Sequence, residues 1–245
     1  MRLIAVLTGL SLLLAQPLFA QPPSPQAPAS LAVAERGGGD WVEYTSRVDR
    51  FVVPAPGAPK VDTISWDSEY GATFPGRVYT WQQGRNRYAI TVVDYSDAQR
   101  IHSAVNHIAY SGGPGPGGVY WLVDIAGSVA YAATKYRQKP GVTVTYDAFH
   151  YIEFVPGLEL QVTNPDKSRS YVGIYLHENR LYVLDATAPP DAAPPIIFQQ
   201  SFGFLDADGK PVRYRPFYVN RFPEPRPDQG GAGAGAQQYQ PPTPR

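Results

Sequence analysis

The sequence predicts an α+β fold, a single domain in which an antiparallel β-sheet has two to three helices packed on it. Three observations lead to this prediction. Apolar residues alternate with period two in segments on either side of the middle of the chain, whereas helical periodicity is concentrated in the middle. The strands come in runs and do not alternate one-to-one with helices. A doubly wound, nucleotide-binding fold is therefore disfavoured.

The first predicted strands lie between residues 51 and 68. "FVVPAP" at 51–56 is a short apolar run stopped by prolines. "KVDTISWDS" at 60–68 alternates, which predicts one face buried through Ile64 and Trp66.

A hairpin follows within "GRVYTWQQGRNRYAITVVDYS" at 76–96. Residues 78–82 and 88–95 form its strands, and Gly84-Arg85-Asn86 supplies turn residues that tolerate positive φ.

Two helices are predicted in the middle of the chain. "SDAQ" at 96–99 matches a capping box and indicates a helix over about 97–109. A second helix over about 119–137 ends before Pro140-Gly141. Its apolar stripe comprises Leu122, Ile125, Val129, Ala132, Ala133 and Tyr136.

The second half of the chain is again strand-like. "VTVTYD" at 142–147 alternates, and "YIEF" and "LELQV", separated by Pro156-Gly157, predict two further strands. "SYVGIYLHENRLYVLDA" at 170–186 predicts a hairpin with Glu178-Asn179 at its tip.

A short helix and a last strand complete the predicted domain. Pro194-Pro195 indicates the start of the helix, since proline is tolerated in a first turn. "VRYRPFYV" at 212–219 predicts an edge strand, because Pro216 cannot donate a hydrogen bond to a central ladder.

The two ends of the chain differ from this domain in composition. Residues 1–20 combine Arg2 with an apolar run that is shorter than the about 20 residues of a membrane-spanning helix, which predicts a signal peptide cleaved after Ala20. Ala15 offers another cleavage position, and an uncleaved apolar anchor is the alternative. Residues 21–40 and 223–245 are rich in Pro and Gly and are predicted to be a disordered linker and tail around a domain at 41–222.

Composition narrows the classes of partner and compartment. The chain has no cysteine, which excludes a lipoprotein anchor and disulfides, and the signal peptide predicts a periplasmic or secreted protein with no stable membrane anchor after cleavage. Acidic and basic residues balance at 21 each with no basic stripe, so nucleic acid is not an expected partner. We expect a monomer.

The order of elements resembles that of the PsbP-like proteins, which are exported α+β domains. The residues that carry the resemblance are "FVVPAP", the hairpin segments "RVYTW" and "YAITVVDYS", the central helices, and "RSYVGIYLHENRLYVLDA". The resemblance would cover most of 40–220 and implies a non-catalytic accessory or binding role. It assigns no functional residue.

The glycine-rich stretch "SGGPGPGG" at 111–118 is the first candidate for chemistry. A phosphate-binding loop needs successive backbone N–H donors and a following Lys-Ser or Lys-Thr. Pro114 and Pro116 remove two donors, and Val119-Tyr120 follow Gly118. We therefore interpret residues 111–118 as a linker between two helices or as a mobile flap beside a groove.

Histidines and acidic turns give no clear site. His102 and His107 diverge by about 140° on a helix and cannot share a metal as an i, i+4 pair does. "DADG" at 206–209 lacks the later ligands of a calcium loop and reads as a polar turn. Ser128 has no neighbouring base in the sequence, and Asp124 is expected to be solvated or bonded to it.

The remaining feature is the aromatic content, with 17 Tyr, 10 Phe and 4 Trp. Strand propensity explains much of it, and a binding face is expected at Tyr110, Tyr120 and Trp121.

These observations predict an exported, non-catalytic domain that binds a protein, peptide or envelope component. No catalytic residue, cofactor or metal site is assigned. The alternative is a hydrolase-type enzyme whose site forms only in three dimensions, around His150 and the helix histidines.

Overall fold

A computed structural model of the protein describes residues 41–105 and 119–223. The segments predicted as signal peptide, linker, glycine-rich loop and tail lie outside the described residues, apart from position 223.

The described residues form ten strands and three helices. The strands are β1 (Val42–Ser46), β2 (Phe51–Ala55), β3 (Lys60–Asp67), β4 (Thr73–Gln83), β5 (Asn86–Asp94), β6 (Thr143–Ile152), β7 (Val155–Thr163), β8 (Arg169–His177), β9 (Arg180–Ala188) and β10 (Gly203–Phe204). The helices are α1 (Ala98–Ser103), α2 (Tyr120–Arg137) and α3 (Ile196–Gln200).

Seven strands form one antiparallel sheet in the order β3-β4-β5-β9-β8-β7-β6, and β1, β2 and β10 form a small second sheet. The predicted α+β fold, with helices packed on an antiparallel sheet, is confirmed. Its hairpin turns are at the predicted places, with positive φ at Gly84 and at Glu178 and Asn179.

Each face of the large sheet carries its own hydrophobic core, because successive residues of a strand point to opposite faces. Tyr182 and Leu184 pack with the small sheet and with Phe198 of α3, whereas Leu181 and Val183 pack on the side of α1 and α2. The predicted stripe of α2 contributes the buried residues Ile125, Ala132 and Ala133 to that second core.

The predicted capping box at 96–99 is wrong. Helix α1 starts at Ala98 with Asp97 as its N-cap, and no side chain caps it. The N–H of Ser96 donates instead to the carboxylate of Asp94 (2.9 Å), and Asp97 pairs with Arg100. The helix ends at Ser103 rather than at 109, and residues 106–118 lie outside the described residues.

The strand boundaries in the second half also differ from the prediction. "VTVTYD" and the start of "YIEF" form one strand, β6, and Pro156-Gly157 lie inside β7. The turn falls on Glu153 and Phe154, which both have positive φ. Proline is tolerated there because it is the second residue of the strand, where few ladder bonds are lost.

The predicted edge strand at 212–219 is wrong. The residues form no strand, and β10 pairs with β2 instead. Side-chain and backbone hydrogen bonds hold this segment to the end of the sheet, because Tyr214 and Tyr218 point inward and reach polar groups of neighbouring strands.

Candidate partner-binding surface

The three residues predicted for a binding face have different places in the molecule. Tyr110 lies outside the described residues. Tyr120 is half-buried, with its ring centroid 6.1 Å from that of Tyr70. Trp121 is only 7% exposed and packs in the helix-side core, where its ring meets Phe222 edge-on at 6.2 Å. Trp121 can therefore support a surface, but it presents little of its own ring to a partner.

Exposed aromatic side chains gather instead at one end of the large sheet. Tyr151, Phe154 and Phe217 are 50%, 39% and 55% exposed, and their ring centroids lie 5.5–5.9 Å apart. We call these three residues the aromatic rim. Single exposed apolar residues are common on any protein surface, whereas a cluster of them is typical of an interaction site.

Phe154 has an unfavourable backbone conformation. It and Glu153 occupy the β6–β7 turn at φ of 63° and 49°, where Asn and Gly are the favoured residues. A bulky side chain in the left-handed region is uncommon and destabilising. The chain nevertheless has a phenylalanine there, and its ring contacts both other rings of the aromatic rim.

The segment that carries Phe217 is fixed although it has no regular secondary structure. The N–H of Tyr218 donates to the carbonyl of Phe154 (2.9 Å), and the Tyr218 hydroxyl accepts from the N–H of Glu178 (2.9 Å). These bonds tie both parts of the aromatic rim together. A surface held in its binding conformation loses less entropy when a partner binds.

Further bonds hold the same segment to the tip of the β8–β9 hairpin. Asn220 accepts from the N–H of Asn179 (3.1 Å) and donates to its side-chain oxygen (2.8 Å). The hydroxyl of Tyr214 lies 2.8 Å from Nε2 of the buried His177. Burial, with the charges of Arg180 and Arg50, lowers the pKa of His177 to about 4, so its ring is neutral near pH 7.

The aromatic rim can bind a partner through the contact area of two phenylalanines and one tyrosine. Aromatic residues of this kind supply large contact areas and are enriched at protein interfaces.

The histidines do not meet at one carboxylate within the described residues. His102 Nε2 lies 2.8 Å from Asp124, whereas His150 Nε2 lies 3.5 Å from Glu159. Residue 107 is outside the described range. The expectation for Asp124 is wrong, since it is buried beside His102 while Ser128 donates to the carbonyl of Ile125.

The "DADG" stretch forms the predicted polar turn. The Asp206 carboxylate accepts from the N–H groups of Asp208 and Lys210, both at 2.9 Å, and Gly209 has positive φ. Within residues 41–105 and 119–223 there is no group of three acidic or histidine side chains placed to hold a metal.

Sequence reasoning missed the aromatic rim, although two signals point to it. The turn between β6 and β7 reads Glu-Phe where turn residues are usual, and Pro216 precedes Phe217 in a segment too polar on one side for a core strand. Bringing the two together requires the hydrogen bond between Tyr218 and Phe154, which no local pattern shows.

No protein-family model and no curated protein sequence matches the chain. Among solved structures, it is similar to the solution structure of cyanobacterial PsbP (CyanoP) from Synechocystis sp. PCC 6803, with 7% sequence identity and a TM-score of 0.40. The match covers 69% of this chain and 95% of the other, and the likeness concerns the fold alone. In the part of the chain that the structure describes, no helix is long and apolar enough to cross a membrane.

Proposed function

We propose that the protein is an exported, non-catalytic binding domain that uses the aromatic rim to hold a protein or peptide partner in the periplasm or outside the cell. The observation that carries the proposal is the mutual contact of Tyr151, Phe154 and Phe217 on an exposed surface with a fixed backbone. The predicted signal peptide supports the compartment.

The partner that fits this surface is apolar where it makes contact. Burying apolar area contributes roughly 25 cal/mol per Å², and aromatic pairs add about 0.5–1.5 kcal/mol each. Three clustered rings can therefore act as a small hot spot, which is how a few residues provide most of the binding energy at many interfaces.

Photo-crosslinking tests the proposal directly. The mature chain would carry a photoreactive phenylalanine analogue at position 217, and the captured envelope protein would be identified and purified. Its affinity would then be measured for the wild type, for Phe217→Ser and for a control, Val61→Ser, which changes a 45% exposed residue on the opposite edge strand β3.

We expect Phe217→Ser to weaken binding at least about tenfold, as for a hot-spot residue, and Val61→Ser to leave it unchanged. Equal affinity of the wild type and Phe217→Ser would overturn the proposal. N-terminal sequencing tests the compartment separately: a mature chain that begins near Gln21 supports export, and one that begins at Met1 in the cytosol contradicts it.

A further inference from the structure

A small pocket lies between α3 and the strands β6, β7 and β8. His150 and Glu159 line it from the strands, Tyr175 forms part of its wall, and Gln199 lines it from the helix. His150 belongs to the pocket and its neighbour Tyr151 to the aromatic rim, and their rings stack with centroids 6.1 Å apart. The two sites therefore adjoin.

Two glycines make room for the wall of this pocket. A Cβ on Gly157 would lie 2.4 Å from the Tyr175 ring, and a Cβ on Gly173 would lie 3.0 Å from it. The ring therefore lies flat over two neighbouring strands. Glycine inside a strand weakens it and marks a close approach, and here it lets the Tyr175 hydroxyl reach His150.

The polar groups on the strand side are partly matched to one another. The Tyr175 hydroxyl lies 2.8 Å from His150 Nδ1, while Nε2 of the same ring faces Glu159 at 3.5 Å. Burial raises the pKa of Tyr175, so its hydroxyl stays protonated. It donates to Nδ1 in the His150 tautomer whose Nε2 proton faces Glu159. Glu159, with a side chain 23% exposed, retains oxygen lone pairs on the pocket side.

Gln199 differs from these residues because its amide nitrogen has no hydrogen-bond partner. The residue is 6% exposed, and Nε2 is buried with nothing to accept its hydrogens among the described residues. Buried polar groups are almost always satisfied, so an exception calls for a ligand or an ordered water. Gln199 lines the same pocket as Glu159.

We propose that this pocket binds a carboxamide, such as a peptide unit, whose oxygen accepts from Gln199 Nε2 and whose N–H donates to Glu159. A carboxylate ligand would satisfy Gln199 but is repelled by Glu159. An ammonium ligand would pair with Glu159 but brings no acceptor for Gln199. A carboxamide is uncharged and holds an acceptor and a donor on one carbon, which matches both groups.

The probe is N-acetylglycine amide, titrated into the full mature chain while the side-chain amide signals are followed by NMR. Acetate, methylammonium and glycerol are the comparison ligands. We expect saturable shifts of the Gln199 signal with the amide at millimolar concentration and at least about tenfold weaker binding of the other three. Tighter binding of any of the three would overturn the carboxamide assignment.

Two variants locate the site. Gln199→Leu removes the donor and Glu159→Gln removes the charge; each should reduce binding at least about tenfold. Gln161→Leu makes the same change as the first variant on β7, outside the pocket lining, and should bind as the wild type does. Unchanged binding in both pocket variants would overturn the site.

The ligand-free protein supplies a second readout. Because Gln199→Leu removes a buried donor without a partner, it should unfold at a temperature equal to or about 2–4 °C above that of the wild type. A high-resolution crystal structure soaked in the amide should show its oxygen at Nε2. An ordered water at that position in the soaked crystals, with no shifts in solution, would overturn the proposal.

Discussion

His102 Nε2 lies 2.8 Å from Asp124 Oδ2, and the two side chains are 0% and 1% exposed. The contact joins α1 to α2 under the sheet, where the His102 ring also packs against Phe74. Helix α1 has six residues and is too short to be stable in isolation. We infer that the contact with Asp124 is a main reason why α1 has a fixed position.

Replacing Asp124 by Ala should therefore destabilise the protein strongly. The change leaves a buried imidazole without this partner, which costs about 3 kcal/mol of the free energy of unfolding. Urea denaturation of the wild type and of Asp124→Ala measures this loss of unfolding free energy.

Asp147 is the matched control, since its partner Arg137 is at the surface and their side chains are 33% and 34% exposed. Asp147→Ala should cost less than about 1 kcal/mol. Equal losses for the two variants would show that the buried pair has no special role.

Local patterns in the sequence were sufficient to predict most strands. The hairpins with turns at Gly84 and at Glu178-Asn179 have alternating apolar residues and turn residues that accept positive φ, and the structure has both hairpins. Helix α2 follows from its apolar stripe and its length. In these cases neighbouring residues decide the structure, and the α+β class follows from the order of the elements.

The candidate sites could not be predicted because each depends on contacts between residues distant in the sequence. Phe217 contacts Tyr151, which lies 66 positions earlier in the chain, and the ring of Tyr175 covers glycines on two strands. The prediction of Pro156-Gly157 as a break failed for the same reason: the ring of Tyr175 lies where a side chain of residue 157 would be.

Stability should decrease as the pH falls from 6.5 to 4, and His177 should contribute to that decrease. Its pKa is lowered from 6.5 to about 4 by burial and by Arg180 and Arg50. The unfolded chain therefore takes up a proton below pH 6.5 that the folded chain does not bind until about pH 4. The stability due to the neutral ring is complete above pH 6.5 and decreases as the pH falls to 4, by about 3 kcal/mol.

Urea denaturation at several pH values checks this against His177→Phe, which keeps a ring beside Phe204 but cannot titrate. Between pH 6.5 and 4, His177→Phe should lose less stability than the wild type, because it lacks the titrating ring. The carboxylates that titrate in this range are the same in both proteins and do not contribute to the difference. Parallel curves would contradict the role of His177.

Two glycine-to-alanine changes should have opposite signs. In Gly157→Ala the new Cβ would lie 2.1 Å from the carbonyl oxygen of Ile174 and 2.4 Å from the Tyr175 ring, so the strands or the ring must move. We expect a loss of about 3 kcal/mol, in line with overpacking of a core. Gly127→Ala lies in α2 with only the Glu69 carboxylate nearby at 3.4 Å, and should gain about 0.5–1 kcal/mol. Thermal unfolding distinguishes the two, and a neutral Gly157→Ala would contradict the tight contact.

Tyr218→Phe should loosen the segment that carries Phe217. The hydroxyl accepts from the N–H of Glu178 at 2.9 Å and donates to Asn220 at 3.1 Å, and both bonds disappear in the variant. We expect a loss of about 1–2 kcal/mol and faster hydrogen exchange at the Glu178 amide. Tyr214→Phe is the control, because its hydroxyl contacts the His177 ring and no backbone amide, so Glu178 should exchange at the wild-type rate. If Tyr218→Phe also weakens partner binding, the fixed backbone of the aromatic rim contributes to affinity, because Phe217 itself is unchanged. Unchanged exchange at the Glu178 amide would show that its hydrogen bond to Tyr218 does not hold the segment.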